Sequence, residues 1–183
     1  MNEMNTSTVE RALSRLGEAL VYHCDIEVLL VGGAAGMVTG LLSATRTTTD
    51  CDVMVYDPPG AMVAVERAAE RVARDLLLAP GWLNSNVQLR HDALPDGWEH
   101  RKVAVGTYGR LHVWAASRPD LIAMKVLAGR AQDLEDLRAM RVRADDVEFV
   151  RAYLDGLAVK GTALEQVEGA REVLESLGEL GHE

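Results

Sequence analysis

The chain has 183 residues, 48% hydrophobic and 26% charged, which fits one compact domain with a sizeable core. Its formal net charge of −9 excludes a surface coated in nucleic acid, which needs clustered Lys and Arg, and 4% aromatics leave little for stacking bases. No apolar run reaches the roughly 18 residues of a membrane span, and two cysteines without ligand spacing read as reduced thiols. The start, "MNEMNTSTVERALSRLGEAL", lacks the basic-then-apolar order of a signal peptide, so a cytoplasmic protein is expected.

Ser7 and Glu10 make a capping box for a first helix carrying Val9, Leu13, Leu16 and Leu20 at helical spacing. Residues 26–31 are almost continuously apolar, the pattern of a strand buried on both faces. Residues 34–42, rich in small side chains, read as a helix. "TRTTTD" reads as loop or extended chain, and "CDVMVY" as a second strand closed by the turn "DPPG". Residues 61–78 carry a strong amphipathic helix pattern, "APGWLNSN" reads as a loop, and "RKVAVGTYGRLHVWAA" as a hairpin turning around Thr107 to Gly109. From Pro119 onward the pattern is helical: "PDLIAMKVLAGR", "AQDLEDLRAMRV", "ADDVEFVRAYLDGL" with an acidic first turn, and residues 162–177, before a frayed "GELGHE". The expected fold class is α+β, a short mixed β-sheet flanked by helices with a helical C-terminal part. Residues 1–140 are expected to form the main domain, and residues 141–183 a helical extension packed on it.

The chemistry concentrates in "VGGAAGMVTGLLSATRTTTDCDVMV". Asp50 and Asp52, two apart on an extended chain, project to the same side roughly 7 Å apart, while Cys51 faces the other way. Carboxylates so paired can clamp two Mg2+ ions about 4 Å apart in a phosphoryl displacement. Gly32 and Gly33, between strand and helix, let phosphate oxygens approach the backbone and its amides. Alone, the glycine pair is a turn and the aspartates are a solvated strand end. Together, in the order strand, glycine pair, helix, arginine, threonine run and D-x-D, they favour a nucleotide site.

This stretch resembles the first motif of the DNA polymerase β-like nucleotidyltransferase superfamily. It is closest to small bacterial proteins similar to AbiEii/AbiGii-type toxins, including the DUF6036 relatives. The resemblance is carried by Gly32, Gly33 and Ala35, by Arg46, Thr48, Asp50 and Asp52, and by "KVLAGRAQDLEDL" with Lys125, Ala128, Arg130, Asp133 and Asp136. It spans about residues 26–140 and implies a nucleotidyltransferase-like domain there. It further implies Mg2+ or Mn2+ on Asp50 and Asp52, and an NTP held by Gly32, Gly33, Arg46 and Thr48. Lys125 then reaches the phosphates, while Arg130 and Asp133 fix its helix and Asp136 hydrogen-bonds the lysine or supports the site. Without the resemblance, the charges of that helix are ordinary i, i+3 pairs. Arg46 either contacts a phosphate or pairs with Asp50 or Asp52.

The implied reaction moves an NMP from an NTP to a hydroxyl of RNA, a tRNA 3′ end among the options, or of a protein. The setting implied is the toxin of a toxin–antitoxin pair, with an antitoxin or other cognate partner and no membrane. The family's third acidic residue has no counterpart in "KVAVGTY" or "RLHVWAA". His112 there is the one group able to act as a base, although a lone strand histidine is more often structural. The alternative is therefore a catalytically inactive binding or antitoxin module. His23, His91, His100 and His182 share no metal-ligand spacing, and Trp82, Trp98 and Trp114 read as packing residues.

Overall fold

The computed structural model describes residues 3–86 and 94–180. Their contacts divide into two compact units, residues 3–86 with 101–116 and residues 94–100 with 117–180.

The first unit is built on a five-stranded sheet in the order β3-β2-β1-β5-β4. β1 (Ile26–Leu30) runs antiparallel to β2 (Cys51–Asp57) and parallel to β5 (Leu111–Ala115). β3 (Leu83–Asn84) lies parallel beside β2, and β4 (Val103–Tyr108) antiparallel beside β5. The sheet is mixed, as the α+β reading expects. Alternation gives it a sealed face: Ile26, Val28, Leu30, Cys51, Val53, Val55, Leu111, Val113 and Ala115 are at most 1% exposed. Glu27, Asp52, His112 and Trp114, offset by one residue, belong to the other face.

Helix α1 (Thr6–Ala19) starts two residues earlier than the sequence suggests. Asn5 is the cap: its Oδ1 accepts from the Thr8 N–H at 2.9 Å, and the Ser7 hydroxyl donates to that same oxygen at 3.0 Å. Ser7 thus lies inside the helix, where it cannot cap. Helix α2 (Gly32–Val38) also starts early, because Gly32 adopts φ +66° and lets the chain turn directly out of β1. It stops where Thr39 Oγ1 bonds back to the Ala35 carbonyl at 2.7 Å and Gly40 follows at φ +71°. Helix α3 (Met62–Leu76) packs on α1, burying Val65, Ala68 and Val72 with Val9, Leu13 and Leu16. A Cβ at Gly17 would collide with the Tyr108 carbonyl, so α1 rests flush on β4.

The strand β3 falls in the segment that reads as a loop. Its two residues hold because Trp82 is wholly buried, donates Nε1–H to the Ala69 carbonyl at 3.0 Å and accepts the Cys51 N–H at 2.6 Å.

In the second unit α5 (Arg118–Ala128) packs against α6 (Ala131–Met140), α7 (Ala144–Val159) and α8 (Leu164–Leu180) around Leu121, Ile122, Val126, Leu137, Val150, Leu154 and Val167. One further short helix, α4 (Trp98–Arg101), has no sequence signal. The acidic start of α7 has a specific use: Asp146 accepts from the Arg143 N–H at 2.9 Å and from Arg118 at 2.8 Å. Arg118 also donates to the carbonyls of Met140 and Arg141, closing the end of α6. No helix among the described residues is long and apolar enough to cross a membrane.

Candidate functional site

The approach to β2 is braced before it reaches the aspartates. Met4 and Thr48 exchange backbone hydrogen bonds at 2.7 and 2.9 Å, and Thr48 Oγ1 donates to the Asp50 carbonyl at 2.9 Å. The apolar pocket taken by Cys51 then sets the pleat, leaving Asp50 and Asp52 half-buried on either side. Burial first, and then the charges of Asp50 and Asp52, push the Cys51 thiol far above its ordinary value. Cys51 is therefore a protonated packing group and no nucleophile.

The end of β1 joins this place through the Val31 N–H, which donates to the Asp52 carbonyl at 3.0 Å. That bond brings Gly32 beside the carboxylate. A Cβ on Gly32 would stand 2.7 Å from Asp52 Oδ2, so glycine is required twice, by conformation and by approach. A Cβ on Gly33 would stand 3.5 Å from Arg46 Nη2 and 3.6 Å from Thr48 Oγ1. Gly32, Gly33, Arg46, Thr48 and Asp52 thus converge, with Asp50 flanking Cys51 beside them. A further residue, Asn84 on β3, donates Nδ2–H to Asp52 Oδ1 at 2.7 Å. Sequence reasoning missed Asn84; its only signal was a polar residue two places after a tryptophan.

His112 is not brought to the aspartates. It pairs with Glu27 on β1, whereas Asp52 lies at the level of Val31 across another strand, a separation on the order of 16 Å. Its own neighbours are Thr107 Oγ1 at 3.2 Å from Nδ1 and Asp25 at 3.6 Å from Nε2. Near it, Lys102 donates to Glu27 at 3.0 Å and to the Tyr56 hydroxyl at 2.7 Å, and its ammonium lies over the Tyr56 and Trp114 rings. Tyr56 donates in turn to Glu27. The hydrogen bond from Tyr56 holds the Glu27 carboxyl below its ordinary value, with Lys102 adding to it, and burial then Glu27 push the Tyr56 hydroxyl up. Trp114 Nε1 is buried without a partner among the described residues.

Within the second unit, the turn at Gly129 (φ +60°) folds α6 back on α5 and gathers four charges. Lys125, 4% exposed, donates to Asp136 at 2.7 Å and to Asp133 at 3.3 Å, and Arg130 Nε donates to Asp133 at 2.7 Å. The hydrogen bond from lysine to Asp136 is one of the roles that the resemblance gave this aspartate. Among the described residues no group of three or more His, Cys, Asp and Glu is placed to hold a metal ion. His91 and His182 lie outside the described residues.

A family model described as a nucleotidyltransferase of unknown function (DUF6036) matches residues 10–166. The chain belongs to this family. The matched span takes in both charged clusters, the glycine pair with Asp50 and Asp52 and the lysine network of α5 and α6. None of the curated proteins matches the chain.

Proposed function

We propose that the chain transfers a nucleoside monophosphate from an NTP to an acceptor hydroxyl, with Mg2+ or Mn2+ held by Asp50 and Asp52. The observation that carries this reading is the contact of Gly32 with Asp52, in a chain of nucleotidyltransferase family. The donor set suits a hard divalent cation: two half-buried carboxylates, with phosphate oxygens and water to complete the shell. The missing side chain at Gly32 lets the backbone lie close against Asp52 Oδ2, where any Cβ would intrude. When bound, the cation supplies charge to neutralise the phosphates and the departing pyrophosphate.

The chain's own groups bind and orient. Arg46, beside Gly33, offers a guanidinium to phosphate oxygens, and Thr48, whose hydroxyl is committed to the Asp50 carbonyl, steadies the approach to the acids. The acceptor oxygen bonds to the α-phosphorus, the bond from that phosphorus to the bridging oxygen breaks, and its electron pair leaves with pyrophosphate. The hydroxyl proton passes to solvent or to a carboxylate, since His112 is distant. Lys125 contributes by fixing α5 to α6 through Asp133 and Asp136. The acceptor is a hydroxyl of RNA, including tRNA, or of a protein, in a toxin–antitoxin setting. The net charge of −9 favours neither.

A second reading, a binding or antitoxin module without catalysis, is favoured by the absence of a third acid grouped with Asp50 and Asp52 among the described residues. Labelled ATP, CTP, GTP and UTP with Mg2+ and with cell RNA and protein as acceptors separate the two. Label transfer reduced at least 100-fold in Asp50→Asn and Asp52→Asn is expected. No transfer from any of the four nucleotides overturns the enzymatic reading in favour of the module.

A further inference from the structure

We infer that Asn84 is a positioning residue that sets the plane of the Asp52 carboxylate for its cation. This rests on the nucleotidyltransferase reading above and deepens it. Asn84 is constrained three times over. Strand register places it directly across from Asp52. Two residues earlier, buried Trp82 ties the strand to α3 through Ala69 and to β2 through Cys51, so the pair cannot slide. The Asn84 amide also has a fixed sense: Oδ1 accepts the Asn86 N–H at 3.1 Å, which commits Nδ2 to Asp52 Oδ1 at 2.7 Å.

The consequence lies in a torsion. The terminal torsion of an aspartate is broad, so a carboxylate left to itself samples many planes. With Oδ1 held by the amide, Oδ2 stays against Gly32, a close approach that only a residue without a Cβ allows. An amide suits this task better than an acid, because it gives a donor where another carboxylate would repel. Partners that orient a ligating carboxylate typically contribute about 10–100-fold to metal affinity.

Mn2+ binding to the full chain, followed by the electron-spin signal of the free ion without nucleotide, tests this apart from catalysis. Asn84→Ala is expected to bind Mn2+ about 10-fold more weakly than the wild type, with an unchanged circular dichroism spectrum. If wild type binds, Asp52→Asn does not, and Asn84→Ala binds within twofold of wild type, the Asn84 inference falls and the nucleotidyltransferase reading stands. If wild type does not bind Mn2+ with or without NTP, the reading itself falls. Should Asn84→Ala fail to fold, the wild type carries the test by NMR. The Asn84 side-chain amide signals are expected to shift on adding Mg2+, and signals that stay fixed while the Asp52 backbone amide moves overturn the inference.

Discussion

Asp50 and Asp52 in the first unit, and Asp133 and Asp136 in the second, are the same side chain at similar spacings in opposite surroundings. The first two are half-buried, and Asp52 meets an amide and a glycine. The second two are 3% exposed and close on Lys125, itself 4% exposed. Carboxylates sealed around a lysine are committed to holding two helices together, since parting them leaves a bare charge in a poorly solvated place. Carboxylates near water at a strand end keep the capacity to exchange partners, which binding a cation requires. Two acidic pairs of equal prominence in the sequence are therefore a scaffold in one unit and a candidate site in the other.

The sharpest way to break this comparison is Lys125→Met. Leaving Asp133 and Asp136 buried without their cation is expected to cost about 3–5 kcal/mol in urea unfolding. Asp52→Asn is expected to change stability by less than about 1 kcal/mol. Equal stability losses would erase the distinction; a stable Lys125→Met protein with a raised KM for NTP would return the lysine to the phosphates.

Gly32 and Gly40 sharpen it next, because both have positive φ but only Gly32 has Asp52 against it. Alanine at either position is expected to cost about 1–2 kcal/mol of backbone strain. Only Gly32→Ala is expected to lose Mn2+ and nucleotide binding, measured by calorimetry; equal loss in Gly40→Ala would deny the close approach its role.

The smallest effect concerns acid. Glu27 has its carboxyl value lowered in the fold, so its contribution is present above the ordinary carboxylate range and lost as pH falls through the lower folded value. Tyr56→Phe removes the largest cause, costing about 1 kcal/mol at pH 7. The gap from wild type is expected to close below about pH 4. A gap unchanged at low pH would mean that the tyrosine acts through packing.

What the sequence disclosed was local. The apolar run of β1, the D-x-D opening of β2 and the turn at Gly129 are each written within a few residues, and the α+β class follows from them. The start of α2 was misplaced because a glycine at positive φ is a conformational choice without a periodic signal. Strand order is the larger gap. His112 looks inward from alternation alone, but only register shows it beside Glu27 and not beside Asp52. Asn84 was illegible for the same reason: its partner is 32 residues away, and a two-residue strand has no period to read. Lys125 and Asp136 were easier, being separated by one turn.

The Met4–Thr48 bridge has a practical corollary for anyone making the protein. Residue 4 anchors the chain leading to Asp50, so a purification tag fused directly ahead of it is expected to disturb the run of threonines before the acids if it displaces that pairing. A tag on the opposite terminus, or a cleavable leader removed before assay, spares that tether.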